Sequence, residues 1–226
     1  MLERATMTRS GRCMPTPSRL ARALAWLLAF AAAAGRLEAQ PEAYAVDPAA
    51  SRVRIRLGRA GLMGFLGHDH EVEAPIAEGR IEVRDGDPTR SSVALRFESA
   101  RLSIVSGTEP ADDIPKVEER MRGPEVLEVA RYPEIAFLSS SVRTRAKDGS
   151  RAELVVTGTL TLRGRPWPVE VPLEVVREPR ELAARGGLDL NLRDLGVEPP
   201  SVAGVVKVAN RFRLEFEIRA TATGER

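Results

Sequence analysis

The stretch Arg211-Phe-Arg-Leu-Glu-Phe-Glu-Ile-Arg219 alternates without a fault. Phe212, Leu214, Phe216 and Ile218 fall on one side, and Arg211, Arg213, Glu215, Glu217 and Arg219 on the other. A period of two marks a strand with one dry face and one wet face. Seven further stretches of the 226-residue chain read the same way. The first, from Tyr44 to Leu57, sets Val53, Ile55 and Leu57 against Arg52, Arg54 and Arg56. The second runs from His68 to Arg84 with a break at Pro75, and the third, Ser92 to Glu98, carries Val93, Leu95 and Phe97 inward. Glu134 to Arg145 is the fourth. The fifth has Leu154, Val156, Gly158, Leu160 and Leu162 inward, the sixth Val169, Val171, Leu173 and Val175, and the seventh Leu188, Leu190 and Leu192. Gly58 to Gly67 reads as a glycine-rich turn, and Asp85-Gly86, Asp148-Gly149 and Gly164 read as tight turns. Successive amphipathic strands predict an all-β, eight-stranded antiparallel sheet, and closing it into a barrel buries its dry face and removes its edges.

One segment breaks the pattern. Ile114, Val117 and Met121 recur at helical spacing, Asp112 or Asp113 can cap the start, and Gly123 ends it. Pro124 can open a second short turn through Val129. A helical insert at about 112–129 is therefore expected to close one end of the barrel.

The first 39 residues read as a signal peptide rather than as part of the fold. Arg4, Arg9, Arg12, Arg19 and Arg22 precede the apolar run Ala23 to Ala34, and a short polar step leads to Ala39. A charged n-region, a short apolar core and a small-residue exit make an export signal. Cleavage is expected after Ala39, with Ala34 the alternative; Met7 is a second candidate start, and an uncleaved anchor is the competing reading. The run falls short of the roughly 20 apolar residues of a membrane span, so no stable span is expected after cleavage. The mature domain is then 40–226, and its location periplasmic or secreted. The only cysteine, Cys13, leaves with the signal, which excludes disulfides and thiolate chemistry. The signal also removes six arginines and two glutamates. Taking these from 34 basic and 32 acidic residues leaves 28 and 30, a balance of −2. That balance gives no footprint for nucleic acid. A homodimer is compatible with the sequence.

The candidate chemistry is sparse. His68 and His70 are the only histidines, and their spacing of two puts both on one strand face, turned to the lumen or its rim. Such a pair can hydrogen-bond to loop carbonyls, touch a polar head group, or begin a divalent-metal site. A firm metal site needs a third or fourth ligand, which no distant histidine or cysteine supplies and a carboxylate from another strand would have to provide. No nucleophile elbow or phosphate loop is legible, and Asp112-Asp113 and Glu118-Glu119 read as solvated helix charges, so the chain is read as a non-enzyme. The predicted inward residues are mostly Val, Leu and Ile, and aromatics make up only 4% of the chain. A lining of that size can leave an axial tunnel. The candidate lumen or rim residues are Phe65, His68, His70, Phe97, Phe137, Leu160, Phe212 and Phe216, with Leu62, Met63 and Leu66 forming an apolar cluster beside His68.

Four segments carry a resemblance. They are Tyr44-Ala-Val-Asp47-Pro48 with Ser51 and Val53; Tyr132-Pro133 with Ile135, Phe137 and Ser139; Gly158-x-Leu160-Thr161-Leu162-Arg163-Gly164; and Arg193-Asp194-x-Gly196. In that order they resemble the YceI-like family of exported bacterial proteins, over about Tyr44 to Ala220. The resemblance implies a lipocalin-like barrel that holds a polyisoprenoid or isoprenoid quinone in its lumen, with no required cofactor and no catalytic set. Two departures, Ile114 to Met121 and Val126-Leu127-Glu128, both fall on the helical insert. The main expectation is an exported lipid carrier, store or sequestering protein. The alternatives are a periplasmic metal-binding or stress-response protein using His68 and His70 with a packed lumen, and a structural barrel without ligand.

Overall fold

Strand ends find their partners by register, and here the register closes a circle. The computed structural model describes residues 41–60, 70–84, 87–107, 110–202 and 206–224. The expected signal peptide with its cleavage points, Cys13, Phe65, His68, the cluster at 62–66 and the Asp85-Gly86 turn lie outside these residues. The strands are β1 (Glu42–Val46), β2 (Arg52–Ala60), β3 (His70–Glu73), β4 (Ile76–Val83), β5 (Ser92–Glu98), β6 (Ser103–Ile104), β7 (Glu134–Asp148), β8 (Arg151–Leu162), β9 (Arg165–Arg177), β10 (Glu181–Asn191), β11 (Ser201–Val202) and β12 (Val206–Ala222). Every pairing is antiparallel, and the order β1-β4-β5-β7-β8-β9-β10-β12 returns to β1. This is the expected closed barrel of eight strands.

Twelve labels serve eight strands because three strands are broken and the two-residue β11 pairs with β12 outside the ring. β1 and β2 both lie against β12, one at Ala220 to Ala222 and the other at Lys207 to Glu217. Between them Asp47 Oδ1 accepts the backbone N–H groups of Ala49 at 2.9 Å and Ala50 at 3.1 Å, a local turn that competes with the ladder. β3 and β4 are parted at Pro75, which has no N–H to donate. β5 and β6 are parted by a single 3-10 turn, Ser99–Arg101. Gly58 proves to lie within β2, so the glycine-rich segment read as a turn begins as strand. A side chain there would meet only Ala209 Cβ at 3.9 Å, so nothing in the packing requires a turn at that point. The β8–β9 hairpin turns on Arg163 and Gly164, both at positive φ (50° and 67°), as a two-residue turn of matching twist demands. Arg163 is held in that strained geometry by Glu128 at 3.1 Å.

The expected insert is a nine-residue helix, α1 (Ile114–Arg122), followed by hydrogen-bonded turns rather than a second helix. Asp113 precedes it but does not cap it. Its backbone is already helical (φ −96°, ψ −22°), and its carboxylate bonds Lys116 at 3.0 Å instead. α1 takes the place of a strand beside β6. Glu118 Oε1 accepts the Ile104 N–H at 3.0 Å, and Arg122 donates to the Leu102 carbonyl at 3.1 Å.

One end of the barrel is solid. Tyr44, Ile81, Leu182, Ile218 and Ala220 are buried there, Tyr44 completely. The Tyr44 hydroxyl accepts from Arg177 Nε at 2.9 Å, and the same guanidinium pairs with Glu42. Burial pushes the Tyr44 phenol above its ordinary pKa, and Arg177 offsets part of that rise. The outward faces carry cross-strand ion pairs such as Arg56–Glu215 at 3.2 Å and Arg211–Asp189 at 3.0 Å, which suits a barrel standing in water.

Candidate lumen site

The other end of the barrel is hollow. Val53, Ile55 and Leu57 of β2, Leu160 and Leu162 of β8, Leu190 of β10, and Phe212 and Leu214 of β12 surround a cavity of about 640 Å³. Alternation aims all of them inward, and the register sets Leu190 against Phe212 and Leu214 against Ile55. Ile55, Leu57, Leu160, Leu162, Leu190 and Leu214 remain half-buried although they point to the interior, because they face empty space. α1 contributes Val117 and Met121, and the excursion after β10 contributes Leu195 and Val197, 6% and 2% exposed. Asp113 and Lys116 also line the cavity, and their side chains are 51% and 76% exposed, so the cavity reaches solvent beside α1. Arg120 lines the same mouth. The arrangement is an apolar chamber with a charged rim, and its volume falls in the range of about 300–1,000 Å³ usual for small-molecule sites.

Of the candidate residues, His70, Phe97, Leu160 and Phe212 line this cavity. Phe137 and Phe216 do not border it. Each aromatic instead lies over a glycine: a Cβ on Gly158 would stand 2.7 Å from the Phe137 ring, and one on Gly186 would stand 2.8 Å from that of Phe216. These rings fill the space a missing side chain leaves. Phe65 and His68 are outside the described residues, so the histidine pair is represented by His70 alone, at the first position of β3 opposite Leu57. Among the described residues no three His, Cys, Asp or Glu side chains gather as a metal site would require. Leu195 and Val197 escaped the sequence reading because they sit in a loop. The signal was there: Leu192, Leu195 and Val197 are an apolar set in a segment that solvent would otherwise keep polar.

A second concavity, about 1,020 Å³, is bordered by Arg52, Arg54, Arg56, Arg185 and Arg213 together with Leu154, Leu173 and Phe216. Most of these cations are already matched: Arg54 and Arg56 to Glu71, Arg185 to Glu174 at 2.7 Å, Arg213 to Asp189 at 3.3 Å. It is larger than the lumen but reads as a neutralised, solvated face.

Residues 44–220 match the YceI-like domain. The chain belongs to the YceI-like family. Two solved structures share the barrel: Burkholderia cenocepacia BcnA and a polyisoprenoid binding domain from Saccharophagus degradans implicated in plant cell wall breakdown. The first has TM-score 0.60 and 18% identity over 78% of this chain and 99% of that one. The second has TM-score 0.57 and 15% identity over 80% and 99%. At such identities the likeness is one of fold. Among curated proteins none matches the chain.

The residues that signal the YceI-like family turn out to be joints. Tyr44 fills the solid end, and Asp47 shapes the β1–β2 break. Ser51 Oγ accepts the Arg219 N–H at 3.0 Å, and Ser139 Oγ the Val93 N–H at 2.8 Å. The Tyr132 carbonyl accepts from Ser99 Oγ at 2.7 Å, while its ring lies 3.1 Å from where a Gly164 side chain would begin. Gly196, at φ +72°, ends the 3-10 turn Arg193–Leu195. Of these segments, Val53, Ile135, Leu160, Leu162 and Leu195 border the cavity.

Proposed function

We propose that this YceI-like protein is exported and binds an amphiphilic lipid, its apolar tail enclosed in the lumen and its head at the charged rim by α1. A polyisoprenoid or isoprenoid quinone fits this description, and the role is to carry, store or sequester it rather than to transform it. The observation that carries the reading is the cavity of about 640 Å³, walled by half-exposed Leu and Ile side chains. Such a surface left to water is unfavourable, and covering it with a hydrocarbon chain gains on the order of 25 cal/mol per Å². Membership of the YceI-like family supports it, as does the fold shared with a domain named for polyisoprenoid binding. The leader at 1–39 supports export to the periplasm or beyond.

Organic extraction of the protein purified from exporting cells, followed by mass spectrometry, tests the reading. The expected result is a prenyl-tailed lipid in a fixed ratio to protein. Protein that carries no lipid, and takes up none from prenyl-lipid vesicles, contradicts it.

A further inference from the structure

The wall of the barrel is not hydrogen-bonded all the way round. β8 and β9 pair without interruption from Leu162↔Arg165 to Arg151↔Val176. β10 and β12 pair over the whole of β10, from Glu181↔Thr221 to Asn191↔Arg211. Between them β9 and β10 pair only from Gly186↔Leu173 to Leu182↔Arg177. Arg165 to Pro172 of β9 and Gly187 to Asn191 of β10 have no ladder between them.

The sequence supplies the cause. Pro166, Pro168 and Pro172 have the same parity, and successive residues of an antiparallel strand turn their N–H groups to opposite sides. A proline cannot donate, yet the ladder to β8 is unbroken at all three positions, so their bare nitrogens face β10. The Pro172 carbonyl points the same way, being among the atoms that a side chain on Gly186 would strike. Of the four donors this half of β9 could offer β10, only that of Glu170 remains. The ladder ends where Gly186 and Gly187 begin to leave it.

What lines this seam is apolar. Val171 lies opposite Val156, Val169 opposite Gly158, Leu188 opposite Leu214 and Leu190 opposite Phe212, so all four lie on the inner face, where Leu190 borders the cavity. All four are half-buried, whereas Leu182, Ile218 and Ala220 on the inner face at the paired end are 4%, 6% and 3% exposed. The seam is bounded at one end by the Leu173–Gly186 pair and at the other by Trp167, whose ring comes within 3.3 Å of where a Gly196 side chain would start. Five residues of strand, Gly187 to Asn191, make a slot roughly 16 Å long.

We propose that the β9–β10 seam is a lateral portal, through which a long, thin apolar chain passes side-on between solvent or membrane and the lumen. The proposal rests on the lumen reading above and adds the route. The prolines keep the two strands from zipping shut, and the valine and leucine lips spare the chain from crossing a polar wall.

Cross-linking tests it. In a Cys13→Ser background, Val171→Cys and Leu188→Cys face each other if the Gly186↔Leu173 register is continued, and a short bis-maleimide joins them. Stopped-flow fluorescence then follows uptake and release of the probe cis-parinaric acid, a long, thin polyene chain whose emission reports its burial. The linked protein is expected to do both about ten-fold more slowly, or slower still, than the unlinked one, with Kd little changed, because a gate alters rates and not the bound state. Rates indifferent to the link overturn the portal alone. A wild-type protein that does not bind the probe overturns the lumen reading and the portal with it. A second readout needs no ligand: Leu188→Cys should react with a bulky maleimide far faster than Leu182→Cys at the paired end. Equal protection of the two thiols overturns the portal.

Discussion

At the end of the barrel where β1, β4 and the close of β12 meet, Tyr44, Ile81, Ile218 and Ala220 are none more than 7% exposed. At the other end, Leu57, Leu160, Leu162, Leu190 and Leu214 come from the same alternation, point to the same interior, and stand half-exposed around about 640 Å³ of space. The difference lies in what reaches the axis. Tyr44 spans the closed end opposite Ala222 and Ile81, a large residue against a small one, and Arg177 satisfies its hydroxyl. At the open end medium-sized aliphatic residues face one another, the aromatics Phe137 and Phe216 are drawn down onto glycines, and a helix replaces a strand. Periodicity decides which way a side chain points; size and pairing decide whether the middle is filled.

Substitutions at the two ends sharpen that contrast. Tyr44→Ala opens a hole in the solid end and strands Arg177, and is expected to cost about 3–5 kcal/mol in urea unfolding. Gly158→Ala forces a methyl to within 2.7 Å of the Phe137 ring and 2.6 Å of the Leu138 carbonyl, and should cost about 1–3 kcal/mol. Leu190→Ala removes a side chain that already faces a void, so its cost should stay below about 1.5 kcal/mol while binding of an apolar probe weakens. A Leu190→Ala loss as large as that of Tyr44→Ala would erase the distinction between the ends. The smallest effect is one of pH. The folded state holds the Tyr44 phenol above its unfolded pKa, so the resulting stabilisation is intact below about pH 10 and is lost as pH rises through the folded value. The urea midpoint of the wild type should therefore fall more steeply in alkali than that of Tyr44→Phe. Parallel curves for the two would remove the buried phenol from the account.

Most of the barrel was legible because a two-residue period survives every local accident. β5 appears with its expected limits, and the Gly164 turn and the Pro75 break fall where the residues place them. What the period could not convey was local competition. Asp47 breaks the first strand by bonding its own backbone, Asp113 spends its carboxylate on Lys116 instead of a cap, and Gly58 passes as an ordinary strand residue. The site was half legible for a related reason. Phe97, Leu160 and Phe212 follow from alternation alone, whereas Leu195 and Val197 reach the cavity through a loop that has no period to read. The seam left a plainer trace, since the prolines at 166, 168 and 172 share a parity that only the observed pairing explains.

The central claim is that the hollow end holds an apolar chain, and filling the hollow tests it most directly. Native mass spectrometry with geranylgeraniol, comparing the wild type with a Leu160→Trp/Leu190→Trp protein of equal thermal stability, makes the measurement. The wild type is expected to retain the alcohol and the filled barrel to lose it. Equal retention by both would place the ligand outside the lumen and contradict the account.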